Sequence, residues 1–276
     1  MDVGGSHVTA ALVGDTAIVA RADRDLDPHA TAEEILGTIA GAGLELGPQA
    51  EWTLAFPGPF DYPRGIGSFA GVAKFGAIAG VDLRAAFQQR LDASTVNFVD
   101  DADAYGQGEW LAGAAQGHDR AICITLGTGV GASFLREGVA VGDGDGVPPG
   151  GNLYPFEYRG RPIEDTVSTR ALLASYGQGG VSVRGLFERA RAGETSANQV
   201  IEQAMEHLGR FLAPFIADFH ATVLVVGGSI SQSWDLIEPP LHRGLGTTTT
   251  QSRRSELLDD APLLGAALWA RRRSAV

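Results

Sequence analysis

Short apolar runs bounded by Gly, Pro, Asn or Asp recur along these 276 residues and predict strands over 8–13, 52–56, 96–99, 121–126, 131–135 and 223–226. Between them the apolar spacing lengthens to three and four, the period of a helix. Thr31-Ala32-Glu33-Glu34 reads as a capping box, opening a helix with Ile35, Ile39 and Leu44 on one face. Asp82 caps a second helix that keeps Leu83, Phe87 and Leu91 in register. Further helices are predicted through Trp110, over 163–176, 183–192 and 197–219, and from Pro262 to Arg272. The segment 15–27 predicts another strand and a loop, while 65–80 and 142–151 are glycine-rich loops. Strands that alternate with helices indicate an α/β fold.

Three glycine-rich turns each leave a strand: Asp2-Val3-Gly4-Gly5-Ser6-His7, Thr125-Leu126-Gly127-Thr128-Gly129-Val130-Gly131 and Val225-Val226-Gly227-Gly228-Ser229. Glycine lets backbone N–H groups turn toward a ligand without a Cβ in the way, and such groups form anion-binding concavities. With Asp100-Asp101 at the end of the 96–99 strand, the three turns predict a cleft between two domains that holds a polyphosphate. A phosphotransferase is the leading reading. The pattern strand, glycine turn, strand occurs twice, over 2–13 and 122–135, which predicts two related halves. Met1 directly precedes Asp2, so the first turn has almost no strand before it; a truncated strand and an unusually short edge strand both fit.

Composition narrows the partners. Hydrophobic content of 44% and charged content of 20% are globular values. A net charge of −12 argues against nucleic acid, which calls for a basic stripe, yet leaves a nucleotide open because a small cleft can be locally positive. The single cysteine, Cys123, rules out an internal disulfide and a multi-cysteine zinc site and reads as a small core residue. No apolar stretch approaches the roughly 18 residues of a membrane span, and no signal segment opens the chain. A cytoplasmic location without membrane partners is expected.

In order along the chain, the motifs resemble those of the ROK family of bacterial sugar kinases, within the actin/hexokinase-type ATPase superfamily. Asp2-Val3-Gly4-Gly5-Ser6-His7 resembles the family's Asp-Ile-Gly-Gly-Thr-Lys, and Pro57-Gly58-Pro59-Phe60-Asp61 its Pro-Gly-Pro-Val-Asp. Asp100-Asp101-Ala102-Asp103-Ala104 resembles Asn-Asp-Ala-Asn-Ala, followed by Gly108-Glu109. Ile124 to Gly131 resembles the second phosphate signature, Val226 to Ser231 the adenosine segment, and Ala261-Pro262-Leu263-Leu264-Gly265-Ala266-Ala267 the closing helix. Three departures stand out. The family's Lys is His7, which reads as a solvated or strand-face histidine. The Glu and His of Glu-x-Gly-His fall at Pro149 and Asn152, and the zinc cysteines are absent. No helix-turn-helix precedes Asp2, so the DNA-binding repressor branch is not expected.

The resemblance implies two actin/hexokinase-like (ribonuclease H-like) α/β domains with mixed sheets flanking a central cleft. Their bounds are 1–117 and 118–276, with the closing helix at 260–273 able to pack back on the first. It implies ATP and Mg²⁺ as cofactors and no structural zinc. Asp101 would be the catalytic base, its alternative being a cap of the helix that begins at Ala102. Asp2 would hold Mg²⁺ through water. Gly4, Gly5 and Ser6, then Gly127, Thr128 and Gly129, would hold phosphates, and Gly227 and Gly228 would admit the adenosine. Asp100, Glu164, Asn152 and Ser68 would bind the acceptor, with Asp61 a further pocket candidate. Asp100 stands where the family has Asn; an ionised Asp only accepts hydrogen bonds, so it would pair with a substrate ammonium or accept from a neutral hydroxyl. Arg159 and Arg161 are candidates to replace the work of zinc. The expected activity is transfer of the γ-phosphate of ATP to a primary hydroxyl, C6, of a hexose or amino hexose such as glucose or kanosamine. A non-catalytic sugar- or nucleotide-sensing protein and a cyclitol kinase are the alternatives. Nothing distinguishes ATP from other triphosphates or polyphosphate. The family often dimerises, and the apolar positions of 197–219 suit a core or an interface.

Overall fold

A computed structural model describes residues 1–69, 71 and 74–274, so part of the predicted 65–80 loop lies outside the described residues. The chain divides into two compact units, Met1–Leu111 with Asp259–Val276, and Ala112–Leu258. Among the described residues no helix is long and apolar enough to cross a membrane.

The first unit is built on strands β1 (Asp2–Val3), β2 (His7–Val13), β3 (Ile18–Asp25), β4 (Glu51–Phe56) and β5 (Thr95–Asp100) in the order β3-β2-β1-β4-β5. β1, β2 and β3 run antiparallel, whereas β4 and β5 join in parallel. The two residues of β1 therefore lie inside the sheet, paired on both sides, and not at its edge, which was one of the two positions the sequence left open. Alternation along the strands feeds two layers: Leu54 and Phe98 enter one apolar cluster, Ala55 and Val99 the other. The first cluster centres on Phe56, whose ring lies 5.1 to 6.2 Å from those of Phe60, Phe69, Phe75 and Phe98. Helices Ala32–Leu44 and Leu83–Leu91 cover it with Ile35, Ile39, Leu83, Phe87 and Leu91. The capping box at Thr31 and Glu34 forms as the sequence predicts. Leu44, assigned to the same face, is instead 53% exposed at the end of its helix.

On the other layer, helices Asp101–Ala112 and Ala261–Ser274 cross in very close contact. A methyl group added at Gly108 would stand 2.7 Å from the Ala261 carbonyl carbon, and one at Gly265 would stand 2.7 Å from the Ala104 carbonyl carbon. Glycine at both positions is what lets the backbones approach.

The second unit repeats the plan. Strands β6 (Arg120–Leu126), β7 (Val130–Arg136), β8 (Val139–Ala140), β9 (Val223–Gly227) and β10 (Gln251–Arg254) are ordered β8-β7-β6-β9-β10. Again three strands run antiparallel and the last two are added in parallel. The two mixed sheets of the expected α/β fold are thus present, with the same strand order in each unit. Cys123 is buried in β6.

Helix Thr195–Phe219 pairs with Trp234–Leu245 through Gly209 and Gly244, each set against the backbone of the other helix. No sequence expectation covers Trp234–Leu245, a helix with Pro239 and Pro240 inside it, each lacking an N–H donor. Tertiary packing of Ile237, Leu241 and Leu245, one turn apart, holds the helix nonetheless. The single helix predicted over 163–176 is two, Glu164–Val167 and Thr169–Tyr176. Ser168 breaks it with an extended ψ of 162° and caps the second piece by accepting the Ala171 amide. The hairpin Glu157–Tyr158 with Arg161–Pro162 is held by rings: Tyr158 lies 5.3 Å from His207 and 6.3 Å from Phe211, and Phe156 lies 5.3 Å from Phe215. Arg159 stacks on Tyr158 at 5.4 Å.

Candidate active site

In the first unit the residues singled out from the sequence gather where β5 runs directly into the helix Asp101–Ala112. Asp100 ends the strand and caps the helix: its Oδ1 accepts the amides of Ala102 at 3.0 Å and Asp103 at 3.2 Å. Its Oδ2 accepts the Tyr62 hydroxyl at 2.7 Å, and the same hydroxyl reaches the Phe56 carbonyl at 3.1 Å. Arg84 steadies the loop carrying Tyr62, donating to the carbonyls of Tyr62 at 3.3 Å and Pro63 at 2.9 Å. The Asp100 carboxylate thus already receives three protein donors.

Asp101 differs. Its Oδ1 accepts the Ala102 amide at 2.9 Å, and no other protein donor reaches it among the described residues. Burial, together with the negative charges of Asp100 and Asp2, pushes its carboxyl up to about 7, against the pull of Lys74. Burial also raises Asp2, at the first glycine turn. Asp100 is raised by burial while Tyr62 and the two amides oppose the rise. Asp101 therefore feels the charges of two further carboxyls, and it is poised to exchange a proton near neutral pH.

The first turn is closed by Gly4 N–H donating to the His7 carbonyl at 2.9 Å. His7 is exposed at the start of β2. Ser68 lies apart from Asp100 and Asp101 in its bonding, with its amide on the Pro59 carbonyl at 3.1 Å. It lines an open cavity of about 480 Å³ with Asp61, Arg64 and Gly80.

In the second unit the β6–β7 turn carries Thr128 exposed at its tip. Two anchors shape it: Thr169 N–H donates to the Gly127 carbonyl at 2.8 Å, and Glu164 Oε1 accepts the Val130 amide at 2.7 Å. Glu164 also lies across the α-carbon of Gly129, where any Cβ would strike it. The break at Ser168 makes Thr169 N–H available, so the split helix and the turn are one construction. Gly228 closes the same region with φ +77°, and a methyl there would stand 2.7 Å from the Leu126 amide nitrogen. Gly228→Ala is expected to cost about 2–4 kcal/mol from strain and overlap; chemical denaturation checks it. Asn152 is turned away into local structure, its amide donating to the Gly150 carbonyl at 3.0 Å.

The sequence model of the ROK family matches residues 1–273. The chain belongs to the ROK family. A relative, the glucokinase of Thermotoga maritima, is 27% identical over 97% of this chain and 95% of its own. The ROK glucokinase of Streptomyces griseus, solved with glucose and AMPPNP, superposes with a TM-score of 0.78 at 24% identity, covering 98% of each chain. A ROK family transcriptional regulator, a homologue of the E. coli MLC protein, superposes with a TM-score of 0.79 at 19% identity over 98% of this chain and 76% of its own. Both superpositions establish the ROK fold.

Tyr62 and Lys74 escaped the sequence reading. Tyr62 follows Pro57-Gly58-Pro59-Phe60-Asp61 by one residue and gave no separate signal. Lys74 had one, because it is the only lysine in the chain.

Proposed function

We propose that this ROK-family chain is an ATP- and Mg²⁺-dependent sugar kinase that transfers the γ-phosphate to a primary hydroxyl, C6, of a hexose. One observation carries the reading: Asp101 heads a helix beside the first glycine turn with its carboxyl held near 7, the poise a general base needs at neutral pH. Asp101 takes the acceptor's hydroxyl proton as its oxygen bonds to the γ-phosphorus, and the bond to the β–γ bridging oxygen breaks to release ADP. Phosphoryl transfer asks a protein chiefly for positioning and charge neutralisation. Gly127, Thr128 and Gly129 supply amides and a hydroxyl for phosphate oxygens, and the Gly227-Gly228 turn takes the adenosine beside it.

Among the described residues no three His, Cys, Asp or Glu side chains gather as a metal cage. Asp2 is the type of hard oxygen donor that suits magnesium, which keeps its waters and takes one or two carboxylates with substrate phosphates. Asp2 would hold the ion through water, and when bound the ion supplies charge neutralisation on the phosphates.

For the acceptor, the three donors on Asp100 supply what a substrate ammonium would otherwise provide, and so favour a neutral hexose over an amino hexose such as kanosamine. Glu164 and Asn152 are half-committed to the fold and would reach the sugar only through their remaining polar atoms. A sensing protein without turnover is the second reading; the Asn152 amide, folded onto Gly150 where the family carries His, favours it. ATP consumption over glucose, mannose, N-acetylglucosamine, glucosamine, kanosamine and a cyclitol separates them. Turnover of a hexose with the phosphate at C6 is expected. Binding of ATP and sugar with no turnover on the panel would overturn the kinase reading.

A further inference from the structure

The basic side chains of this chain are twenty arginines and a single lysine, Lys74. That lysine lies over the first glycine turn. A methyl added at Gly5 would stand 3.2 Å from Lys74 Nζ and 3.5 Å from Cδ, so the missing side chain of Gly5 is the space the lysine occupies. The ammonium makes no ion pair among the described residues, although Asp2 and Asp101 are close enough to this turn to feel one another's charge. An ammonium set against a backbone turn and left unpaired among carboxyls has charge to give to something else. In this motif the position that holds Lys in the family is His7, so the turn's own sequence carries no lysine. A lysine is a compact point charge with rotatable donors, fitted to one phosphate oxygen more than to a planar fork.

We propose that Lys74 is a phosphate-binding residue of the site, placing its ammonium on the terminal phosphate of the bound triphosphate at the Gly4-Gly5-Ser6 turn. This rests on the kinase reading for what the phosphate is transferred to, but not for the binding itself. In that role Lys74 also keeps the transferring group and Asp101 from repelling each other, since both are negative.

Because Lys74 is the only lysine, acylation or trinitrophenylation of lysine reads one site, resolved from the terminal amine by peptide mass. The probes are Mg·ATP, inorganic triphosphate and AMP, with wild type, Lys74→Arg and Lys74→Met. Mg·ATP and triphosphate should slow labelling of Lys74 at least tenfold and AMP should not. Lys74→Met should raise KM for ATP about 10–100-fold and leave KM for the sugar within twofold, with Lys74→Arg recovering part of the loss; a merely structural lysine would move both constants or neither. Labelling unaffected by either triphosphate, with or without sugar turnover, would overturn the proposal. Protection by ATP in a protein that phosphorylates no sugar would uphold Lys74 and sink the kinase reading instead, so the two failures are distinct.

Discussion

Asp101→Asn will lower sugar phosphorylation by about 10²–10⁴-fold and, above neutral pH, yield a more stable protein than the wild type. Both halves follow from the same burial. The carboxyl is raised from 3.8 to about 7 because burial and the charges of Asp100 and Asp2 penalise its ionised form. In the folded protein it therefore holds a proton that the unfolded chain has already released between pH 4 and 7. Its contribution to stability is greatest below the unfolded value and is lost as pH rises through the folded one. An amide never ionises, so the variant escapes that loss, worth on the order of 2–4 kcal/mol at pH 8. Urea midpoints of wild type and variant should diverge progressively from pH 4 upward, with the difference at pH 8 larger than that at pH 5. In the wild type, kcat/KM should fall on the acid side with a midpoint near 7. A variant as active as the wild type would remove Asp101 from the chemistry.

Gly265→Ala is expected to destabilise the protein by about 3 kcal/mol or more, at the upper end of overpacking costs. The added methyl would lie 2.7 Å from both the Ala104 carbonyl carbon and the Gly108 amide nitrogen, and a rigid helix backbone cannot swing aside as a side chain can. The helices must separate, uncovering Ala55, Val99, Ala104 and Ala266. Asp101 is the first residue of one of them, so turnover should fall with stability. Gly37 is the control, a helical glycine with nothing within 4 Å of its Cβ position; Gly37→Ala should stabilise by about 0.5–1 kcal/mol. Equal effects at the two positions, read as denaturation midpoints, would discredit the crossing as the cause.

The sequence was most readable where local chemistry decides the outcome. The capping box at Thr31, the Asp82 cap and the apolar runs of the strands each have a cause within a few residues, and the structure carries them. So do the three glycine turns. The family motifs Gly108-Glu109 and Gly265-Ala266 were visible as text, but their reason was not. Gly108 and Gly265 are glycines because two helices far apart in sequence meet there. Tertiary packing also overrode local signals at Pro239-Pro240, inside a helix, and at Ser168, where a predicted helix breaks to anchor the Gly127 carbonyl. Asp100 drew attention as an extra charge facing a ligand. Its tyrosine and helix-cap partners come from a loop and a helix turn whose convergence no spacing rule announces. Lys74 required counting, not pattern.

The unit Ala112–Leu258 is one unbroken stretch, whereas the unit that starts at Met1 includes the helix Ala261–Ser274. On the ribosome the order of completion is consequently inverted. The unit encoded second has its whole sequence synthesised first, while the one encoded first waits for the helix Ala261–Ser274. Throughout that wait, the Gly108 face of the Asp101 helix and the small residues beside it have no lid. Chaperone demand in the cell should therefore track the arrival of the helix Ala261–Ser274, which supplies the missing face.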